Sequence, residues 1–473
     1  MIVQRKDWYT ATMPPRLLIS AAHKSSGKTT ISIGLCAALA QRGLRVQPFK
    51  KGPDYIDPMW LGRAAGRPCH NLDFYTMQRD EMVSLLVQQS ASADITIIEG
   101  NKGLYDGLDL DGSNSNAALA NLVQAPVVLV LDARGMTRGI APLILGYQAF
   151  DKTIRIAGVI LNQLGGSRHE KKLRSVIEHY TDVQVVGAVY HNPALSIEER
   201  HLGLMPSNED DTADKKIATI RDLLKQQLDL DKIIQVAHSA PNLAATPVAP
   251  SASHNRDVRI AVVRNDAFGF YYPGDLAAME KAGAELVFID NIRDQSLPKV
   301  DGLFIGGGFP EARMQQLENN STMRHAIKSA IENGLPAYAE CGGLMYLSRS
   351  LSWRGETRQM AGVIAADTVM YDTPQGRGYI RMQETANHPW GNHPAESARE
   401  IAGHEFHYSG LINLDPATRF AYRILRGTGV DGHNDGIVQN NLLACYAHQR
   451  DTRNNHWAQR FVEFVRVVAR HSY

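Results

Sequence analysis

Lys28 and Thr29 close the run AAHKSSGKTT (21–30), after an apolar stretch and before a helix-like one. Gly27-Lys28-Thr29-Thr30 is the closing half of a P-loop. In that motif backbone amides at a helix N-terminus cradle phosphate, the lysine reaches the outer phosphates and the first hydroxyl binds Mg²⁺. Ala22 stands where the usual opening glycine would be. A second run, FKKGPDYIDP (49–58), brings Lys50, Lys51, Asp54, Tyr55 and Asp57, and a third, ITIIEG (95–100), presents Glu99. Carboxylates at the carboxyl ends of parallel strands face the crevice where such sheets bind ligands. Asp54, Asp57 and Glu99 are hard oxygen donors of the kind Mg²⁺ takes. Read alone, Asp54 and Asp57 are turn residues beside Pro53 and Pro58; next to a P-loop the metal reading prevails.

A different chemistry is written in PAYAECGGLMYL (336–347), where a strand-like run meets Cys341, then Gly342-Gly343, then a helix-like run. That is the layout of a nucleophile elbow, with glycines permitting the sharp turn. A helix N-terminus beside the thiol is expected to favour the thiolate. A lone cysteine is also, commonly, a small buried hydrophobe. Two further stretches favour the reactive reading. FIGGGFPE (304–311) closes another strand, and the Gly306, Gly307 and Gly308 amides are candidates for an oxyanion hole. ACYAHQR (444–450) ends a short apolar run with His448, a base for the thiol. His407, in GHEFHYS (403–409), is the rival base.

The elements that must position these residues are legible as apolar runs. In the first half they are 16–22, 44–50, 95–100, 126–133, 157–164 and 185–190, mostly continuous and interleaved with helical stretches. Continuous apolar strands are those buried on both faces of a parallel sheet. The stretch 236–257 is rich in Ala, Pro and Ser and without period, so it reads as a linker. The pattern then restarts at 259–265, 284–290, 302–308 and 337–341. The expectation is α/β with two doubly wound domains: a P-loop domain at 1–235 and a second domain at 258–473.

The bulk numbers exclude several classes. With 50 Lys plus Arg against 49 Asp plus Glu, the 473-residue chain carries a formal charge of +1, which points to neither nucleic acid nor a membrane surface. No apolar run approaches the ~18 residues a membrane span needs, and residues 1–16 read as a short extension, not a signal peptide. Cys36, Cys69, Cys341 and Cys445 are too few and scattered for a disulfide framework. Reduced thiols and a cytoplasmic location follow as expectations.

Together these pieces resemble the cobyrinic acid a,c-diamide synthase family, class I glutamine amidotransferases fused to a dethiobiotin-synthetase-like ATP domain. The resemblance spans nearly the whole chain and rests on SSGKTT, FKKGPDYIDP, AAGRP…NLD, EG…GLYDG, RHLGL (200–204), FGFYYP (268–273), GGGFPE, YAECGGLMYL, PQGRGY (374–379) and GHEFHYS. It implies a flavodoxin-like glutaminase domain in which Cys341 forms a glutamyl thioester with L-glutamine and His448 is acid and base. Gly306–Gly308 and the amide after Cys341 would hold the oxyanion. It implies ATP bound by Gly27, Lys28, Thr29, Thr30 and Lys51, with Mg²⁺ on Thr29, Asp54, Asp57 and Glu99. A tetrapyrrole carboxylate would become an acyl phosphate and be attacked by ammonia passed between the domains. Tyr55, Arg63, Arg67 and Asp106 are candidates to face the macrocycle; for the arginines, which suit carboxylates, a solvated surface is the other reading. A homodimer is implied as well.

Two departures are visible. Many class I enzymes carry Glu two residues after the catalytic His, where this chain has Arg450. The cobyrinate-type subgroup also manages without that Glu, and the group that orients His448 is left unassigned. The details of AAHKSSGKTT and EGNKGLYDGLDLDGSNSNAALA (99–120) also resemble a branch proposed to amidate sirohaem or a related tetrapyrrole. A reading of another class is a P-loop switch ATPase, which would lack the second domain and release no glutamate from glutamine.

Overall fold

The computed structural model describes residues 13–200, 203–243, 256–391 and 399–471. The described chain divides into two compact units, one formed by residues 13–74 and 79–243, the other by 75–78 and 256–471.

The first unit runs β1 (Arg16–Ala21), α1 (Lys28–Gln41), β2 (Val46–Lys51), α2 (Ile56–Ala65), β3 (His70–Leu72), α3 (Arg79–Ser90), β4 (Ile95–Glu99), α4 (Asn116–Leu122), β5 (Val127–Asp132), α5 (Ile140–Phe150), β6 (Ile156–Leu164), α6 (Ser167–Tyr180) and β7 (Val185–Tyr190). A two-residue ribbon, β8 (Glu199–Arg200) with β9 (Gly203–Leu204), precedes α7 (Ala213–Leu224) and α8 (Leu230–His238). The seven main strands form one sheet in the order β3-β2-β4-β1-β5-β6-β7. Every neighbouring pair is parallel. Strands β1, β2 and β4 are buried along their whole length; β1 and β4 accordingly read as mostly apolar runs, while β2 buries Gln47, Lys50 and Lys51 as well. Because β2, β4 and β1 are consecutive neighbours, the segments leaving their carboxyl ends meet.

The stretch 236–257 opens differently from the expected linker. Asp229 caps α8 by accepting from the Lys232 amide, and the helix continues to His238 with Ile233, Val236 and Ala237 buried on one face. Residues 244–255 lie outside the described residues, as do 1–12 of the expected extension and His201 and Leu202 of RHLGL.

The second unit begins with β10 (Val258–Val263), β11 (Phe268–Phe270), α9 (Pro273–Lys281), β12 (Ala284–Ile289), β13 (Gly302–Ile305), β14 (Gly307–Gly308), α10 (Met314–Asn319), α11 (Ser321–Glu332), β15 (Ala337–Glu340) and α12 (Gly342–Leu347). It continues with β16 (Ser350–Trp353), β17 (Glu356–Gln359), β18 (Asp367–Met370), β19 (Gly376–Glu384), β20 (Glu400–His407), β21 (Ser409–Ile412), β22 (Arg419–Arg426), β23 (Asn434–Gln439), β24 (Leu442–Cys445) and α13 (Trp457–His471). Its sheet has nine strands in the order β12-β10-β13-β15-β24-β23-β22-β19-β20. The first five are mutually parallel. The remaining pairings are antiparallel, an extension that the apolar runs did not announce. A smaller sheet, β17-β16-β18-β21, and the ribbon β11-β14 complete the unit.

Side-chain alternation along the parallel strands splits the core into two layers. Ala261, Val263, Leu303, Ile305, Ala337 and Ala339 face one cluster. Ile260, Val262, Phe304, Tyr338 and Leu443 face the other, where α13 inserts Trp457, Phe461 and Val465 at helical spacing. Each such large apolar side chain contributes about 1.5–3 kcal/mol on full burial. Strands β13, β15 and β24 are again consecutive neighbours, so three chain segments leave one end of the sheet together. All four cysteines are free and buried. Among the described residues no helix is long and apolar enough to cross a membrane.

Candidate active sites

In the first unit, Gly27 stands at the head of α1 with φ +90°, and a Cβ built there would lie 2.2 Å from Asn162 Nδ2. The positive φ favours glycine, and a side chain there would displace Asn162. Asn162 Nδ2 donates to the Ser26 carbonyl at 2.8 Å and so pins the loop. Gly27 supplies no capping side chain, which leaves the first amides of α1 unpaired within the helix, as an anion site requires. Lys28, Thr29 and Thr30 form that first turn. Burial holds the Lys28 ammonium below its ordinary pKa, opposed by the nearby Glu99 carboxylate.

The three expected strand ends converge. Thr29 Oγ1 donates to Glu99 Oε1 at 2.8 Å and lies 3.2 Å from Asp57 Oδ2. Lys50 Nζ lies 2.6 Å from both Asp57 Oδ2 and Glu99 Oε1. Burial disfavours the Lys50 charge, but Asp57, Glu99 and Asp54 outweigh it and raise its pKa. Asp54 stands off, 3.8 Å from Lys50. Its Oδ1 instead accepts from the Asp57 amide, while its backbone is tied both ways to the Asn71 side chain. Burial, then the Asp57 charge, raises the Asp54 pKa.

Among the described residues no group of three or more His, Cys, Asp or Glu is arranged to hold a metal ion. The expected set therefore contracts to Thr29, Asp57 and Glu99. That donor set still fits Mg²⁺, which commonly uses one or two carboxylates plus substrate phosphates. Glu99 Oε2 is a buried acceptor without a hydrogen-bond partner, as an unused ligand position would be.

Several sequence expectations change. Lys50 joins the cluster, while Lys51, the lysine expected at ATP, lies apart from it because successive strand residues point to opposite faces. Lys51 Nζ donates to Asn101 Oδ1 at 3.2 Å, and burial lowers its pKa to about 8. Arg63 is forked onto Asp214 at 2.6 and 2.9 Å and donates to the Ser207 carbonyl. Arg67 bonds Gln47 Oε1 and Ser92 Oγ, tying β2 to the turn before β4. Tyr55 is buried at the head of α2. Asp106 Oδ2 accepts from the Gly103 amide at 2.8 Å and closes the turn that follows Glu99.

In the second unit, Cys341 has φ +47° and ψ −100° between β15 and α12. A side chain held in such a region costs on the order of 1–3 kcal/mol and marks a position fixed by its surroundings. The Cys341 amide donates to the Cys445 carbonyl at 2.7 Å. The glycines after it are required by contact: a Cβ on Gly343 would lie 2.2 Å from the Ile305 carbonyl oxygen, and one on Gly342 would lie 2.9–3.0 Å from the Gly308 backbone. The elbow is thus pressed onto the glycine loop after β13. With six residues, α12 is a turn and a half, so the expected helix-terminus field on the thiol is a short one.

The glycine loop is not uniform. The Gly306 amide is already used, donating to the Tyr271 hydroxyl at 2.9 Å. Gly307 and Gly308 pair with Phe270 and Phe268 in the β11-β14 ribbon. A Cβ on Gly307 would lie 2.6 Å from His448 Cε1, which puts the imidazole directly against the loop. The oxyanion expectation therefore narrows to Gly307, Gly308 and the Gly342 amide.

His448 is buried, with the Cys341 thiol near enough to act on its ionisation. Its Nδ1 lies 3.2 Å from Glu340 Oε2. Burial alone would lower the His448 pKa, but the pairings with Cys341 and Glu340 win and raise it to about 10. His404 stacks on the His448 ring at 5.0 Å, and burial followed by the His448 and Arg450 charges keeps it neutral. Sequence reasoning missed both Glu340 and His404. The rival base, His407, is engaged elsewhere: Nδ1 meets the Ser409 carbonyl at 2.8 Å and its ring stacks on Tyr446 at 3.9 Å.

Residues 18–204 match the CobQ/CobB/MinD/ParA nucleotide binding domain, and residues 259–455 match the CobB/CobQ-like glutamine amidotransferase domain. The chain is 45% identical over 458 residues to the cobyrinate a,c-diamide synthase of Magnetococcus marinus, covering 96% of this chain and 97% of that one. It is 40% identical to the protein of the same name from Methanosarcina acetivorans, covering 92% of each. A third, from Archaeoglobus fulgidus, is 39% identical over 95% of this chain and 97% of its own length.

Proposed function

The chain belongs to the cobyrinate a,c-diamide synthase family, and we propose that it amidates the a- and c-acetate carboxylates of cobyrinate with ATP and glutamine. The observation that carries this reading is similarity through both halves to proteins of one name: 45% identity over 96% of the chain. The second domain removes the switch-ATPase reading. The sirohaem reading is set aside, since the relatives above are named for cobyrinate.

In the glutaminase half, the Cys341 thiolate attacks the glutamine carboxamide carbon and His448 passes a proton to the departing ammonia. Water, with His448 as base, then releases glutamate from the thioester. Amides of Gly307, Gly308 and Gly342 stabilise the oxyanion. In the synthetase half, the loop before α1 and Lys28 hold the ATP phosphates, and Thr30 completes the helix turn that receives them. Thr29, Asp57 and Glu99 would hold Mg²⁺, which when bound offsets phosphate charge. Lys50 positions the two carboxylates, and Asp54 positions the Asp57 loop. Tyr55 and Asp106 remain as residues to face the macrocycle. A free carboxylate is a poor acylating agent; phosphoryl transfer to it supplies a leaving group, which ammonia displaces to give amide and phosphate.

Mass spectrometry of products tests the substrate, with cobyrinic acid and sirohaem in separate tubes containing ATP, Mg²⁺ and glutamine. Amidation of cobyrinic acid is the expected result. Amides on sirohaem alone would overturn the substrate while leaving the chemistry.

A further inference from the structure

The position two residues after His448 is Arg450, whose guanidinium lies over the Tyr272 ring at 5.1 Å. The carboxylate that meets the imidazole comes from elsewhere in the chain, from the residue immediately before the nucleophile. We infer that Glu340 is the positioning residue of the glutaminase, completing a Cys341–His448–Glu340 triad in which the nucleophile and its third member are adjacent in sequence. This rests on the amidotransferase reading above.

Two consecutive strand residues normally point to opposite faces and cannot flank one ring. The elbow removes that restriction. Glu340 ends β15 in register with Cys445 of β24, and Cys341 turns away at φ +47°. His448, three residues beyond Cys445, brings its ring to Glu340, with Cys341 near enough to act on its ionisation. Nδ1 is 3.2 Å from Glu340 Oε2, which leaves Nε2 as the nitrogen for the thiol.

Glu340 is itself held rigidly. It is 2% exposed. Its Oε1 accepts from the Tyr338 hydroxyl at 2.6 Å and from the Gln449 amide at 3.0 Å. Gln449 Nε2 in turn lies 3.1 Å from both the Tyr338 and Tyr422 hydroxyls, and Asn455 Nδ2 fixes Gln449 Oε1. One oxygen is thus locked by two donors while the other is aimed at the imidazole. That is the arrangement needed to fix a tautomer and to stabilise the imidazolium. The other groups facing His448 do not substitute for it. His404, stacked on the ring from β20, is kept neutral by burial and by the charges of His448 and Arg450.

The test is Glu340→Gln in the full-length chain, scored by glutamine hydrolysis against pH, with circular dichroism and thermal melting as the folding control. Glutaminase kcat is expected to fall about 100-fold with KM within about threefold, since the lost element is one acid–base partner. The basic limb of the kcat profile is expected to move to lower pH by about one unit, because an opposite charge beside the imidazolium has gone. A folded variant whose pH profile is unmoved overturns the inference, whatever its rate. Should the variant fail to fold, the unmutated chain decides. In ¹⁵N-histidine-labelled protein, His448 must carry its proton on Nδ1 when neutral; an Nε2–H tautomer overturns the assignment. Wild-type protein that releases no glutamate would instead remove the amidotransferase reading, and the triad with it.

Discussion

At the scale of residues, the proposed chemistry falls on two small clusters. Thr29, Asp57 and Glu99 gather on Lys50 in one unit, and Cys341, His448 and Glu340 gather on the elbow of the other. Cys341→Ala is expected to abolish glutamine-dependent amidation and to leave ammonia-dependent amidation within about threefold, because the thiol serves only to liberate ammonia. Amide formation with each nitrogen source measures this directly. Glutamine-dependent activity within tenfold of wild type would remove Cys341 from the mechanism.

At the scale of elements, both clusters arise from the same device: three neighbouring parallel strands whose carboxyl ends release the functional segments side by side. The tightest junction is the contact of α12 with the loop after β13. Gly343→Ala places a Cβ 2.2 Å from a backbone carbonyl oxygen, and backbone cannot rotate away as a side chain would. The variant is expected to lose at least about 2 kcal/mol in urea denaturation, together with glutaminase activity. Gly274→Ala, in the first turn of α9 with nothing within 4 Å, is the control and should gain about 0.5–1 kcal/mol.

What the sequence disclosed follows from burial. Parallel strands covered on both faces announce themselves as apolar runs, and VVGAVY is β7 residue for residue. Strand β22, Arg419–Arg426, mixes arginines with apolar residues and shows no continuous run, so the antiparallel half stayed hidden. Motif residues that touch backbone or ligand positions were legible. Partners set by a strand's facing were not: Lys50, which meets Asp57 and Glu99, had no assigned role in the sequence reading. Arg63 and Arg67 could not be told from ligand-facing arginines until their partners, Asp214 and Gln47, were in view. Glu340 could be recognised only once the positive φ of Cys341 was known.

At the scale of the whole molecule, the second cluster ties stability to pH. The His448 pKa is raised from 6.5 to about 10 by its partners against the cost of burial. A group whose folded pKa is raised contributes stability in full below its unfolded value and loses it as pH rises through the folded value. The melting temperature of wild type should therefore exceed that of His448→Asn most at pH 6 and below, with the gap closing as pH rises toward 10. A gap that widens with pH would contradict the paired imidazolium.

The central claim is that both clusters serve one reaction, the ATP-driven transfer of glutamine nitrogen to cobyrinate. It is tested most directly by incubating the full-length chain with cobyrinic acid, ATP, Mg²⁺ and glutamine labelled with ¹⁵N in its side-chain amide, and weighing the product. Cobyrinate a,c-diamide carrying ¹⁵N in both amides, and formed only when ATP is present, is the predicted result. Folded protein that releases labelled ammonia yet leaves cobyrinic acid unchanged would contradict it.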